Sequence, residues 1–114
     1  MSATCIFCRI VAEEVPAAFV HKDDDIVAFR DLSPQAPCHV LVIPRKHVGS
    51  LNDAGGEDTL LLGKMLAAAK AIAQREGIGA GYRIVTNCGA SAGQSVFHLH
   101  LHLLGGRPMS WPPG

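Results

Sequence analysis

This sequence has few aromatic residues, no excess of charge of either sign and no long apolar run. Aromatic side chains make up 5% of the 114 residues although hydrophobic residues make up 48%, so the core must be mainly aliphatic and rich in alanine. Ten basic and ten acidic residues cancel, which argues against a general nucleic-acid-binding protein, because such proteins usually carry a basic face. A small anionic ligand is compatible with this charge, since one pocket can be basic on a neutral protein.

The sequence also lacks the features of an exported or membrane-anchored chain. It starts Met-Ser-Ala-Thr-Cys, with no basic start before an apolar stretch, and no run approaches the ~20 apolar residues of a membrane helix. We therefore expect a cytoplasmic protein with neither a membrane nor a nucleic-acid partner. In that compartment the four cysteines are expected to be thiols or metal ligands rather than disulfides.

The length favours a single domain, and no repeat, low-complexity tract or linker divides the chain. We expect one domain over residues 1–114, of which 105–114 form an irregular C-terminal tail. Periodicity and turn residues predict helices over 5–14 and 57–76 and strands over 18–21, 26–30, 38–44, 82–87 and 96–104. This order predicts an α+β fold with a mainly antiparallel sheet of five strands, covered on one face.

Three of the six histidines fall within five residues, where the chain reads His98-Leu99-His100-Leu101-His102. Because side chains alternate between the faces of a strand, this segment predicts a face of histidines opposite a face of leucines. The leucines are expected to face the core and the histidines a polar site. The simplest alternative, surface histidines on a half-exposed strand, does not account for so strict an alternation.

Two functional interpretations of the histidine face remain. Alternate strand residues lie about 6.6 Å apart, so His98 and His102 would be about 13 Å apart, too far to share one metal ion unless the strand bends sharply. Two adjacent histidines could share one. The other interpretation is nucleophilic catalysis, in which a neutral imidazole attacks phosphorus and its neighbours offset charge on the phosphoryl oxygens.

The residues before the alternation favour catalysis on a phosphate. Gly93 permits a close backbone approach, and Gln94 and Ser95 offer hydrogen bonds to a phosphate or to a leaving group. The chain contains neither a P-loop nor a GxGxxG pattern, so a phosphate would be bound in another way.

Together, several segments resemble the histidine triad family, and within it the nucleotide-binding proteins that are purine nucleoside phosphoramidases. The alternation followed by Leu103-Leu104 resembles the family motif, His-x-His-x-His before two apolar positions. The resemblance covers essentially the whole chain. The other matching segments are Cys5-Ile6-Phe7-Cys8-Arg9-Ile10, Asp31-Leu32-Ser33-Pro34-Gln35-Ala36-Pro37, Val42-Ile43-Pro44-Arg45-Lys46-His47, Gly93-Gln94-Ser95-Val96-Phe97-His98 and Trp111-Pro112-Pro113-Gly114.

The resemblance implies a homodimer in which two sheets, each with one long and one short helix, join into one continuous sheet. It implies hydrolysis of adenosine and other purine nucleoside 5′-phosphoramidates, and of aminoacyl-adenylates, to the nucleoside monophosphate. His100 would be nucleotidylated transiently, and water would release the product. Two alternatives stay open: a dinucleoside polyphosphate hydrolase, and a zinc-stabilised nucleotide-binding or scaffold protein with little catalysis.

The same resemblance assigns roles around His100. It implies that His98 and His102 contact or orient the phosphate and that Ser95 hydrogen-bonds the leaving nitrogen. Asp31 is expected to bind the ribose hydroxyls, its alternative role being to cap the turn that follows. The other expected nucleotide contacts are Gly93, Gln94, Asn87 and His39 near the phosphate, and Ile6, Phe7, Ile10, Phe29 and Leu32 around the purine, although these last five are equally well core residues.

Two further positions concern specificity. The family's C-terminal tail reaches toward the partner's active site, so Trp111 is expected to select the substrate, unless the tail only holds the dimer together. Arg30 stands where eukaryotic members often have a histidine. We expect it to alter the ribose rim but not the chemistry.

Cys5 and Cys8 form a Cys-x-x-Cys pair that brings two thiols to one side of a helical turn or loop. A metal ion needs two more ligands. Bacterial members and the distantly related hexose-1-phosphate uridylyltransferases bind structural zinc with such a pair. By that resemblance the Zn²⁺ ligands are Cys5, Cys8, His47 and His98, with His39 as the alternative third ligand. Two reduced, partly buried thiols are the metal-free alternative.

Overall fold

The computed structural model describes residues 4–114. The N-terminal segment was expected to contain no signal peptide. Its first residues, 1–3, lie outside the described residues. The elements are helices α1 (Ile6–Val11) and α2 (Thr59–Arg75) and strands β1 (Phe19–Lys22), β2 (Ile26–Arg30), β3 (Cys38–Pro44), β4 (Tyr82–Val85) and β5 (Leu101–Gly105). Single turns of 3-10 helix lie at Leu51–Asp53, Gly56–Asp58 and Ala90–Ala92. Between residues 4 and 114 no helix is long and apolar enough to cross a membrane.

The five strands form one antiparallel sheet in the order β1-β2-β3-β5-β4, which confirms the predicted α+β fold. Every residue of β3 is buried, because the two faces of the central strands contribute to two separate apolar clusters. Ile26 and Ala28 of β2 pack on the α2 side, whereas Val27 and Phe29 pack on the α1 side. The expectation of a sheet covered on one face is therefore corrected: α1 covers part of the second face.

Helix α2 supplies the larger of the two apolar clusters. Met65, Ala69, Ile72 and Ala73 recur at helical spacing and are fully buried against the sheet. Gly77, at φ 76°, adopts a left-handed conformation and ends the helix, as a residue without Cβ can do at low cost. The helix is shorter than predicted, because its first residues form the 3-10 turn Gly56–Asp58.

The largest departure from the predicted elements lies at the histidine alternation. A strand was predicted over 96–104, but β5 begins only at Leu101, so that His102 alone of the three histidines lies in a strand. Strand β3 ends at Pro44, which has no N–H with which to continue the ladder. Other bonds replace the ladder there: the Leu99 amide donates to the Val48 carbonyl at 2.6 Å.

Candidate active site and metal centre

A cavity of about 240 Å³ lies beside α1 and the end of β2. All five residues expected around a purine line it: Ile6, Phe7, Ile10, Phe29 and Leu32. Phe7, Ile10 and Phe29 also belong to the apolar cluster under α1, so these three are core residues as well as lining the cavity. Leu32, by contrast, is 99% exposed and lies at the rim. Asp31 lines the same cavity and is its acidic member.

His100 is buried next to this cavity, and the backbone fixes its tautomer. Its Nδ1 lies 2.7 Å from the His98 carbonyl oxygen, which can only accept a hydrogen bond. Nδ1 therefore carries the proton, and Nε2 keeps a free lone pair. The His100 ring packs edge-on against Phe7, with ring centroids 5.2 Å apart, and Phe7 lines the cavity. An imidazole whose Nδ1 is bound to the backbone, so that Nε2 is the nitrogen available as a nucleophile, thus lies beside an apolar cavity.

A chain of hydrogen bonds fixes the tautomer of His102 in the opposite sense. The backbone amide of Gln35 donates to Nδ1 of His39 at 3.0 Å, so the proton of His39 is on Nε2. That Nε2 lies 2.9 Å from Nδ1 of His102 and donates to it. His102 must then carry its own proton on Nε2. The ring centroids of His100 and His102 are 5.1 Å apart. A ring with a lone pair on Nε2 and a ring with an N–H on Nε2 are therefore neighbours in the site.

Burial keeps His39 and His102 neutral. It lowers the pKa of His39, although the nearby Asp31 carboxylate acts in the opposite direction. Burial also lowers the pKa of His102, and the neighbouring His100 and His39 add to that effect. His102 therefore offers a neutral N–H to an anion rather than a full positive charge. The sequence predicted His39 in the site but gave no role to the Gln35 amide, which fixes the tautomers of both His39 and His102.

Asp31 combines the two roles considered for it. One carboxylate oxygen accepts from the Ser33 amide at 2.7 Å and so caps the turn. The other lies 3.4 Å from Nε2 of His39, at the border between the cavity and the histidines. The turn therefore holds the carboxylate in place while its second oxygen stays close to the site.

Gln94 has a different place from the one expected. Its side chain is buried, its oxygen accepts from the Gly89 amide at 2.9 Å, and its nitrogen donates to the carbonyls of Gly49 and Val96 at 2.8 and 3.1 Å. Both amide hydrogens are used within the protein, so none is left for a phosphate. The expected phosphate contact is corrected to a structural one, in which Gln94 ties three backbone segments together.

The neighbouring loop residues surround this buried amide. Gly93, at φ 100°, is left-handed, and a Cβ there would lie 3.8 Å from the Asn87 side-chain nitrogen, so these two predicted residues are adjacent. Ser95 is exposed and lines a second cavity of about 390 Å³ that shares Ile6 and Val96 with the first. Trp111 is exposed beside β4 and shares a cavity with Asn87, not with the residues expected around the purine.

The Arg30 side chain forms an ion pair at the end of helix α2. It continues the face of β2 that carries Ile26 and Ala28, which pack on the α2 side. Its guanidinium lies 2.8 Å from the Glu76 carboxylate at the end of α2. Arg30 also lines the cavity beside Asp31, so its expected effect on the ribose rim stays a prediction.

The four residues expected to hold a metal do come together. One donor atom from each of Cys5, Cys8, His47 and His98 lies within 4.8 Å of all the others. Cys8 Sγ is 3.2 Å from His47 Nδ1, Cys5 Sγ is 3.4 Å from His98 Nδ1, and the two Nδ1 atoms are 3.2 Å apart. Tetrahedral zinc with its usual bond lengths needs donor separations of about 3.3–3.8 Å, so the cluster has the right size.

His98 has the protonation state that a metal ligand requires. It is fully buried, and its Nε2 donates to the Pro44 carbonyl at 2.8 Å, which leaves the Nδ1 lone pair facing the thiols. Burial lowers the pKa of His98 to about 4 and keeps the ring neutral. Both ring nitrogens are thus engaged away from the cavity. The expected contact of this side chain with a phosphate is corrected: only its carbonyl acts on the site, by orienting His100.

A second group of potential ligands, Asp31, His39 and His102, also lies within 4.8 Å. It is not built for a metal, because Nδ1 of His39 faces the Gln35 N–H and its Nε2 must keep a proton. His39, the alternative zinc ligand, therefore belongs to the histidine pair of the site, and His47 is the residue placed beside the thiols.

Comparison with known proteins places this site in a family. The family model described as HIT domain matches residues 12–109. The chain belongs to the HIT domain family. This HIT protein is 54% identical to an uncharacterized HIT-like protein of Synechocystis over 114 residues, all of both chains.

Solved HIT structures share the fold. A HIT family hydrolase from Legionella pneumophila superposes with a TM-score of 0.95 at 52% identity, covering 97% of this chain and 100% of the other. A histidine triad protein from Clostridium difficile gives a TM-score of 0.93 at 39% identity and covers 96% of each chain. The resemblance to the histidine triad family is confirmed, and the fold is that of HIT family hydrolases.

Proposed function

We propose that this HIT protein hydrolyses purine nucleoside 5′-phosphoramidates and the related aminoacyl-adenylates to nucleoside monophosphates. The observation that carries this proposal is the bond from His100 Nδ1 to the His98 carbonyl, which leaves a nucleophilic Nε2 next to an apolar cavity. Fixing the tautomer through the other ring nitrogen is what a nucleophilic imidazole needs.

In the first step, Nε2 of His100 attacks the phosphorus and the bond from phosphorus to the leaving nitrogen breaks. The ring gains a positive charge, which its Nδ1–H shares with the His98 carbonyl. The Ser95 hydroxyl donates a hydrogen bond to the leaving nitrogen, which takes up a proton from solvent and departs as the amine. In the second step, water attacks the phosphorus and gives up a proton to solvent, the bond to Nε2 breaks, and the nucleoside monophosphate and neutral His100 are released.

Charge on the phosphoryl oxygens rises in both steps and needs donors that are already in place. His102 supplies its Nε2–H, which the hydrogen bond from His39 orients. Asn87 and the backbone at Gly93 are the other expected donors. The purine lies between Phe7, Phe29 and the remaining apolar wall, while the Asp31 carboxylate accepts from the ribose hydroxyls.

We propose Zn²⁺ as the metal of the Cys5, Cys8, His47 and His98 cluster. Two thiolates and two imidazoles fill a tetrahedral shell and leave no position for substrate, so the ion stabilises structure and takes no part in the reaction. Elemental analysis of purified protein tests this assignment.

We further propose a homodimer with a continuous sheet. Strand β4 is an edge of the sheet, and an edge strand offers unpaired N–H and C=O groups to a second copy. The tail lies along this strand, since Arg83 donates to the Ser110 carbonyl at 2.8 Å. Light scattering over a dilution series measures the oligomeric state, and a monomer at all concentrations would contradict the proposal.

The reaction is tested with adenosine 5′-phosphoramidate, the His100→Ala variant and the control variant His21→Ala, whose histidine lies on β1. We expect His100→Ala to lose about a thousandfold or more in turnover, as enzymes do without their nucleophile, and the control to keep wild-type rates. Acid-quenched mass spectrometry of the wild type should find a nucleotide on the peptide containing His100. Near-normal turnover by His100→Ala would refute the assignment.

The same assay separates the two alternative functions. Faster cleavage of a diadenosine polyphosphate than of the phosphoramidate would identify a dinucleoside polyphosphate hydrolase. Tight binding of adenosine monophosphate with neither an adduct nor turnover would identify a nucleotide-binding protein.

A further inference from the structure

His98 belongs to two sites at once. Its side chain lies in the metal cluster, with Nδ1 3.4 Å from Cys5 Sγ and 3.6 Å from Cys8 Sγ. Its backbone carbonyl accepts the 2.7 Å hydrogen bond from His100 Nδ1 that sets the tautomer of His100. No other residue described between 4 and 114 joins the cluster to the nucleophile in this way.

The segment that carries His98 and His100 is not held by the sheet. Strand β5 begins at Leu101, so no ladder bonds fix residues 97–100. The segment is held at separate points: the Leu99 amide on the Val48 carbonyl, the Thr86 hydroxyl on the His100 carbonyl, the His98 ring on the Pro44 carbonyl, and Nδ1 of His98 in the cluster. Two of these four anchors use the His98 ring, and the His98 carbonyl belongs to the residue that they hold.

We infer that metal binding at Cys5, Cys8, His47 and His98 orients the nucleophile, so that metal occupancy controls the tautomer and position of the His100 ring. The inference rests on the nucleophilic role proposed for His100. Without the metal, Nδ1 of His98 exchanges a metal bond for weak thiol contacts, and the ring relies mainly on its bond to Pro44. The His98 carbonyl then moves more freely, and His100 loses its single tautomer. His98 is in this sense a positioning residue that acts through its backbone.

The nucleoside cavity depends less on the metal. Helix α1 carries Phe7 and Ile10, which are buried in an apolar cluster with residues of β2 and β3. Loss of the metal should therefore lower kcat much more than it weakens nucleotide binding. A metal that only stabilised the fold would change both together, or neither.

The test compares zinc-loaded wild type, zinc-stripped wild type and Cys8→Ser, with Cys88→Ser as the control for loss of a cysteine outside the cluster. Nitrogen-15 spectra of labelled histidine report the tautomer of His100 directly. Loaded wild type and Cys88→Ser should show only the Nδ1–H form, and the two zinc-poor samples a mixture. In those samples kcat should fall about tenfold or more, the scale of a misplaced reacting group, while the Kd for adenosine monophosphate changes less than about threefold.

A graded experiment covers the case in which the stripped protein unfolds. Cys5→Ala keeps three donors, so titration with Zn²⁺ varies the occupancy of a protein that circular dichroism shows to be folded. The fraction of the Nδ1–H form must rise with occupancy; a constant fraction in folded protein would overturn the inference. If the tautomer follows occupancy but no phosphoramidate is cleaved, the proposed function fails and the coupling stands.

Discussion

The hydrogen bond from His39 to His102 predicts that His39 affects catalysis although it contacts no reacting atom. In His39→Leu the Nε2–H donor is lost, and the Gln35 amide and Nδ1 of His102 lose their partner. Because both groups are only partly buried, leaving them unpaired should lower the free energy of unfolding by about 1 kcal/mol, the low end of the range for buried groups. The His102 ring can then turn or change tautomer, so its N–H no longer points steadily at the phosphate.

The effect on catalysis follows from what His102 supplies. Removing one donor to a developing oxyanion costs about 10²–10³ in kcat, which is the upper limit for His102→Ala. Loss of an orienting partner typically costs about 10–100-fold, or about 1.4–2.7 kcal/mol, so His39→Leu should fall in that range. KM should change little, because the bond acts on a group that is used most in the transition state.

His39→Gln is the matched control. A glutamine at this position offers an oxygen to the Gln35 amide and an N–H to His102, the same two functions that His39 performs. We expect this variant to recover most of the lost kcat, measured by steady-state turnover of adenosine 5′-phosphoramidate. A folded His39→Leu with wild-type kcat would refute the reasoning. Equal loss in both variants at equal stability would assign His39 to packing instead.

Three other substitutions test the site assignments. Gln94→Leu should destabilise the protein by about 1–3 kcal/mol in urea unfolding, because it leaves three partly buried backbone groups unpaired, and should also raise KM by disordering the loop. Leu32→Ala should change stability by less than about 0.5 kcal/mol but weaken adenosine monophosphate binding in calorimetry, whereas Leu60→Ala on the exposed face of α2 should leave both unchanged. Arg30→His should alter kcat/KM for adenosine and guanosine substrates less than about twofold, since a half-exposed pair with Glu76 contributes about 1 kcal/mol at most; a change in base preference would contradict the observed side-chain direction.

The regular part of the fold could be predicted because it follows from side-chain periodicity. The predicted bounds of β2 and β3 agree with the structure, since both are continuous apolar runs buried on two faces. The alternation at 98–102 has the same periodicity but forms a strand only from Leu101. The pattern failed there because His98 points its ring into a cluster with three distant residues, and such long-range bonds leave no mark on local periodicity.

The site residues were predicted better than their contacts. Residue type and motif grouped the five apolar residues and Asp31, which line one cavity, and the four expected metal donors, which lie close together. The direction of a side chain was harder to predict: Gln94 turns inward, and Arg30 lies on the opposite face of β2 from its neighbour Phe29.

What the sequence could not indicate is how two histidines two residues apart acquire opposite tautomers. In both cases a backbone group sets the tautomer. The His98 carbonyl holds the proton of His100 on Nδ1. The Gln35 amide, acting through His39, holds the proton of His102 on Nε2. Backbone groups are the same for every residue, so their effect depends only on where the fold places them. The three histidines make the chemistry possible, but the division into nucleophile and donor is a property of the loop at 97–100 and of the turn at Gln35. Substitutions that keep every histidine and displace either backbone group should therefore impair catalysis.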